Sequence, residues 1–172
     1  MNHQSIVGFS TDRAEADYYP TPPQTTEALM QREVFEGMVW ECACGKGNIA
    51  RLLESRGNKV IATDIKNGQD FLTYEPENYD CVITNPPYSI KDKFLKRCYL
   101  LDKPFALLLP LTTFEGKRQY WMEKYGIEVI LLDKRVNFET PSGNGTGSWF
   151  ATAWFTNGLN IGKQITFGKL QC

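Results

Sequence analysis

Tyr79-Asp80-Cys81-Val82-Ile83-Thr84-Asn85-Pro86-Pro87-Tyr88 is the stretch on which the reading of this chain turns. Its apolar run, bounded by turn-forming residues, predicts a buried strand over 79–83. Pro86 and Pro87 then stop it, since neither can donate a ladder hydrogen bond and each holds φ near about −65°. Pro86 also drives Asn85 out of the helical region. The product is a rigid, extended corner at the carboxyl end of a strand, which in open α/β sheets is where ligands bind. The Asn85 side-chain oxygen and the Pro86 carbonyl can accept the two hydrogens of a planar amino group. Tyr88 can stack on the ring that carries it, an interaction worth about 1–3 kcal/mol for a nucleobase. The same tetrapeptide can also serve only as a turn.

Outward from this corner, further strands are expected at 38–42, 59–64, 105–110, 127–132, 149–155 and 164–167. Helices are expected from Pro22 to near Gly37 and at 49–56, 90–101 and 116–125. Thr21 with Gln24 resembles a capping box, with Pro22 as the first helical residue. Alternating strands and helices predict an α/β domain: a mainly parallel, seven-stranded sheet with helices on both faces. The strand at 149–155 follows its predecessor through a loop without a helix, so it is expected to be the one antiparallel strand. Residues 1–17 are polar and aperiodic and read as a flexible arm ahead of a single domain at 18–172. The stretch 141–148 holds three glycines in eight residues and is expected to be mobile.

The chain has 172 residues, 42% hydrophobic and 23% charged, which fits one domain with a real core. No apolar run is long enough for a membrane span, and the N-terminus lacks the pattern of a signal peptide, so the expectation is a cytoplasmic protein. Five cysteines without paired spacing form no disulfide framework, and Cys42-Ala43-Cys44 is not a C-x-x-C site. His3 is the single histidine. No metal site and no histidine base is expected. Charge is uneven: residues 1–84 hold seven Lys/Arg against thirteen Asp/Glu, and residues 85–135 hold ten against six. Lys91, Lys93, Lys96 and Arg97 follow the corner on a basic helix and are the expected contacts to a nucleic-acid backbone, although a solvated helix face has the same composition.

A second constellation precedes the corner. Glu41-Cys42-Ala43-Cys44-Gly45-Lys46-Gly47 turns the first strand into its helix but fits G-x-G-x-x-G poorly. An acid just before that turn disfavours a pyrophosphate and favours a cationic or hydroxyl-bearing ligand. Asp64, with Ile65 beside it, ends the second strand and is placed like an acid that grips ribose hydroxyls. Asp70-Phe71 can hold an adenine, the carboxylate accepting from the amine and the ring packing on the base. Each has a plainer reading: Asp64 as a cap, Phe71 as core. Together they describe a ligand with a ribose, an adenine and a positive end, and S-adenosylmethionine has all three.

Tyr18-Tyr19-Pro20-Thr21-Pro22, the Glu41 to Gly47 turn, Asp64, Asp70-Phe71 and Asn85-Pro86-Pro87-Tyr88, in that order, resemble the amino-methylating class I methyltransferases with a Rossmann-like fold. The resemblance is strongest to DNA adenine-N6 methyltransferases with an N-terminal Thr-Pro motif, including small phage and prophage members. It implies that Thr21 contacts the methionine end of S-adenosylmethionine. Glu41, Ala43 and Gly45 would line its middle, Asp64 would hold its ribose, and Asp70 and Phe71 its adenine, with Ile65 and Asn85 also among the cofactor-binding residues. Asn85, Pro86, Pro87 and Tyr88 would hold the target base. Such enzymes usually carry a sizeable target-recognition domain, and nothing after Tyr88 is long enough for one. Target choice would then rest on the 141–148 loop, the basic helix, a separate recognition partner or a homodimer. The asparagine motif also occurs in RNA and protein-glutamine methyltransferases, and a non-catalytic nucleic-acid or partner-binding module is a third reading.

Overall fold

The computed structural model describes residues 19–32, 35–138 and 150–170. The arm at 1–17 and the loop at 141–148 lie outside the described residues. In chain order the elements are α1 (Pro23–Met30), β1 (Met38–Glu41), α2 (Asn48–Ser55), β2 (Lys59–Ala62), β3 (Cys81–Thr84), α3 (Lys91–Leu101), β4 (Phe105–Pro110), α4 (Gln119–Tyr125), β5 (Glu128–Leu132), β6 (Thr152–Asn157) and β7 (Ile165–Gly168).

The seven strands form one sheet in the order β2-β1-β3-β4-β6-β5-β7. β1 is parallel to β2 and β3, β3 to β4, and β5 to β7. β6 inserts between β4 and β5 and is antiparallel to both. All six residues of β4 are buried, as befits a strand with neighbours on both edges and helices on both faces. Its side chains alternate, Leu107 and Leu109 to one face and Ala106 and Leu108 to the other. The first face packs against Phe94, Leu95 and Cys98 of α3 and Met122 of α4. The second packs against Leu29 of α1 and Ile49 and Leu53 of α2. Truncating a wholly buried leucine such as Leu108 to alanine costs about 2–5 kcal/mol.

Strand order reverses around β1: β2 lies on one side of it and β3 on the other. The crevice beyond the carboxyl ends of β1 and β3 is therefore the topological switch point of the sheet. Glu41 ends β1 and Thr84, the residue before Asn85, ends β3. Sheet topology thus brings the two constellations read from the sequence to one place.

Several expected local details differ. The capping box does not form: Pro22 is the N-cap residue of α1 without a side-chain cap bond, and Pro23 is its first helical residue. The Thr21 hydroxyl is engaged elsewhere, as described below. α1 ends at Met30 rather than near Gly37. It is tied to the sheet by Trp154 Nε1, which donates to Thr25 O at 2.7 Å. Residues Gly116–Arg118 form a separate one-turn 3-10 helix, and α4 starts only at Gln119. β6 runs from Thr152 to Asn157 because its register is set by pairing with β4, from Pro110↔Thr152 to Phe105↔Asn157. Among the described residues no helix is long and apolar enough to cross a membrane.

Candidate active site

An open cleft enclosing about 900 Å³, its mouth included, lies at the switch point. Thr21, Glu41, Ala43, Asp64, Ile65, Asp70, Phe71, Asn85, Pro86, Pro87 and Tyr88 all line it. Gly45 is not among the lining residues; its backbone N–H donates to Asp64, which is. Lys91, Lys93, Lys96 and Arg97 are not among the lining residues.

One half of the cleft is built by the turn from β1 into α2. Gly45 and Gly47 take φ of +50° and +75°, values that cost a glycine little. Gly47 precedes α2 and has no side chain with which to cap it. Glu41 supplies the cap from the strand end, its Oε2 accepting the Ala50 N–H at 2.8 Å. Asp64 joins two segments: Oδ2 accepts the Gly45 N–H at 2.8 Å and Oδ1 the Lys66 N–H at 2.9 Å. Each oxygen thereby keeps a second lone pair. Asp70 Oδ1 accepts the Leu72 N–H at 2.9 Å and shapes the next turn. Asp64 and Asp70 against Lys66 leave this half of the lining net negative without a charge on Glu41, which suits a ligand with a positive end.

Burial is the main cause that pushes the Glu41 carboxyl up to about 8; the Ala50 N–H and Arg51 pull it back, and Asp64 and Glu54 push it further. The cleft-lining Cys44 thiol is pushed up to about 11, first by burial and then by Glu41 and Asp64. It is therefore a protonated thiol at neutral pH and not an activated nucleophile.

Phe71 is 1% exposed. Its ring stacks on Phe94 at 4.5 Å between centroids, meets Trp40 at 5.1 Å, and lies 5.4 Å from the Arg97 guanidinium carbon. Phe71 is thus a core residue, as one reading of the sequence has it, and its side chain also forms part of the cleft wall. Arg97 turns inward. Its two terminal nitrogens donate to Leu72 O and Tyr74 O at 3.1 Å each, bracing the loop that carries Asp70 and Phe71. Lys91 Nζ donates to Tyr88 O at 3.3 Å, and Lys96 lies 5.5 Å over the Trp121 ring.

At the corner, Asn85 Nδ2 donates to Tyr19 O at 3.2 Å and to Thr21 Oγ1 at 3.0 Å. Its Oδ1 is buried and accepts no hydrogen bond within the described residues. Pro87 O is taken by the Ile90 N–H at 3.2 Å. Tyr88 sits in an aromatic cluster, near-parallel to Tyr19 at 6.3 Å and 23° and edge-on to Phe138 at 6.4 Å and Phe150 at 5.6 Å. Sequence reasoning assigns no role to Tyr19, Phe138 or Phe150. Only Tyr19 carries a local signal, through its place beside Pro20-Thr21. Phe138 and Phe150 reach Tyr88 through tertiary packing alone.

No family model and no curated protein matches the chain. Solved structures do. A protein assigned as the modification subunit of a type I restriction enzyme from Vibrio vulnificus shares 13% identity, over 83% of this chain and 44% of that one, with a TM-score of 0.48. A protein assigned as an RNA methyltransferase from Pyrococcus horikoshii shares 12%, over 88% and 90%, with a TM-score of 0.54. A dimethyladenosine transferase from Plasmodium falciparum shares 12%, over 81% and 62%, with a TM-score of 0.50. The chain thus spans less than half of the first of these proteins and nearly all of the second. With the second and third it shares its α/β fold.

Proposed function

We propose that this chain transfers a methyl group from S-adenosylmethionine to an exocyclic amino group, that of adenine N6 in DNA. The observation that carries this reading is the Asn85 amide. Its nitrogen is satisfied by Tyr19 O and Thr21 Oγ1, while its oxygen is buried and lacks a donor among the described residues. A buried acceptor without a partner costs about 1–3 kcal/mol, and an amino group entering the cleft removes that cost. The fold and the acidic half of the cleft support the cofactor.

The Glu41 carboxyl would lie towards the positive end of the cofactor, where a cation favours its ionised form, Asp70 towards the adenine amine, and the spare lone pairs of Asp64 towards its ribose hydroxyls. S-adenosylmethionine bound there supplies an electrophilic methyl group on a sulfonium. The protein's part is to prepare the acceptor. An exocyclic amine is a poor nucleophile because its lone pair is delocalised into the ring. Asn85 Oδ1 and the Pro86 carbonyl accept its hydrogens and favour the pyramidal nitrogen of the transition state, which is binding that grows along the reaction. Tyr88 stacks on the base and holds the amine in line. From duplex DNA the base must leave the stack, at a cost of a few kcal/mol. In the same reading, residues 18–172 act as one catalytic domain, and target choice falls to a recognition partner or a second copy.

The test is transfer of labelled methyl to DNA, RNA and protein in separate reactions, with melting temperature measured on the same samples. Asn85→Ala should melt close to wild type, keep cofactor affinity and lose most of its turnover. Tyr88→Ala should weaken productive base binding, and Tyr88→Phe should keep the ring and a good part of the activity. A stable Asn85→Ala protein with wild-type turnover would sink the mechanism. Transfer only to RNA or protein would keep the mechanism and change the substrate.

A further inference from the structure

We propose that Tyr19-Pro20-Thr21 is a positioning strap that fixes which way the Asn85 amide points, and that the Thr21 hydroxyl serves Asn85 rather than the cofactor. This inference rests on the amine-methylating reading of the site.

The two ends of a primary amide are nearly the same size but opposite in chemistry: the nitrogen only donates and the oxygen only accepts. Rotated by a half turn, Asn85 would aim two donors at an amino group that is itself a donor, and the corner would repel its substrate. Sterics alone do not prevent this. The strap does, because Tyr19 O is a backbone carbonyl and can only accept. The amide nitrogen must therefore face it, as it does at 3.2 Å. Thr21 Oγ1 accepts the second hydrogen at 3.0 Å. With both hydrogens spent on the strap, the oxygen is left as the free acceptor of a residue that lines the cleft, and it is the atom found buried without a donor among the described residues.

The strap is itself held. Thr21 is 4% exposed. Its carbonyl accepts from Asn48 Nδ2 at 3.1 Å, and Asn48 is the first residue of α2. Arg51 Nη2 in turn donates to Asn48 Oδ1 at 2.7 Å, and Arg51 Nη1 to Lys46 O at 2.5 Å in the glycine turn. A chain of hydrogen bonds thus runs from the cofactor turn through Thr21 to Asn85. The same strap places the Tyr19 ring against Tyr88. Thr21 is therefore a positioning residue that links the two halves of the cleft.

The experiment compares the full-length protein with Thr21→Val and Thr21→Ser. Four quantities are measured: kcat and KM for methyl transfer to duplex DNA, calorimetric affinity for S-adenosylmethionine, and solvent exchange of the Asn85 side-chain amide protons by 15N NMR. The NMR signals are assigned by their loss in Asn85→Asp. Thr21→Val should lower kcat about tenfold, the effect of one lost hydrogen bond to an aligned group. Cofactor affinity should stay within about twofold, since only the turnover step needs the aligned amide. Exchange of an Asn85 amide proton should speed up, and Thr21→Ser should restore both kcat and slow exchange. If Thr21→Val instead loses cofactor affinity while Asn85 exchange is unchanged, the hydroxyl belongs to the cofactor and the proposal is overturned. A wild-type protein that methylates neither DNA, RNA nor protein overturns the functional reading alone. Unchanged Asn85 exchange in Thr21→Val then overturns the strap as well, and faster exchange upholds it.

Discussion

The Glu41 carboxylate accepts the Ala50 N–H at 2.8 Å, so an acid at the end of β1 caps α2 across the intervening turn. It does so while 1% exposed, in a helix whose own N-cap is a glycine. Burial raises its pKa from 4.5 to about 8. A carboxyl raised in this way binds its proton more tightly folded than unfolded. Its stabilising contribution is complete below about pH 4.5 and is lost as pH rises through 8.

Glu41→Gln keeps an acceptor for Ala50 and does not titrate. Relative to wild type it should gain stability steadily from acid to pH 8, reaching on the order of a few kcal/mol. Denaturant melts at several pH values check this, and a difference that does not grow with pH would show that Glu41 is not raised. Under the proposed function the same variant should bind S-adenosylmethionine more weakly chiefly above about pH 8, where wild-type Glu41 is ionised and can face a positive charge.

Asp64 should matter both to the ligand and to the turn. Asp64→Ala removes the acceptor of the Gly45 and Lys66 amides, with a stability loss of about 1–3 kcal/mol. Cofactor affinity should fall by about tenfold or more, the equivalent of roughly one charged hydrogen bond. Asp64→Asn keeps one acceptor oxygen and should lie between. Calorimetry with unchanged affinity in Asp64→Ala would remove it from the site.

Arg97 and Lys93 separate two roles on the one basic helix. Arg97→Met keeps an unbranched aliphatic stem but loses the guanidinium over Phe71 and its donors to Leu72 O and Tyr74 O. It should lower melting temperature and cofactor affinity and leave the salt dependence of nucleic-acid binding unchanged. Lys93 is exposed on the same helix. Lys93→Ala should make the slope of log affinity against log salt shallower by about one. Titrations at several salt concentrations check both, and a shallower slope in Arg97→Met would return that residue to the nucleic-acid surface.

Gly37 tests the sheet away from the cleft. Its φ is +107°, and a Cβ there would lie 2.2 Å from Asp80 Oδ2. That oxygen accepts the Met38 N–H at 2.6 Å, where β1 begins. Gly37→Ala should cost about 1–3 kcal/mol through strain and the displaced carboxylate. Turnover per folded molecule should be unchanged, measured as kcat corrected for the active fraction.

By itself the sequence determined those features whose cause is local. Apolar runs, prolines and glycines act within a few residues of themselves. The order of strands and helices, the corner at Asn85 and the turn at Gly45 and Gly47 are therefore legible in the chain alone. The insertion of β6 between β4 and β5 is only half legible, since a loop without a helix implies the direction of a strand but not its neighbours. What only the tertiary structure decided is where polar groups with several possible partners spend them. Thr21 could cap its own helix, yet its hydroxyl meets Asn85, 64 positions away. Arg97 could face solvent, yet it braces a loop 25 positions earlier. Phe138 and Phe150 bear no motif, yet both meet Tyr88. A side chain's own sequence neighbourhood fixes what it can donate or accept. Which partner it finds depends on the packing of whole elements across the switch point, and that is set by the hydrophobic faces of the sheet, not by the polar residues themselves.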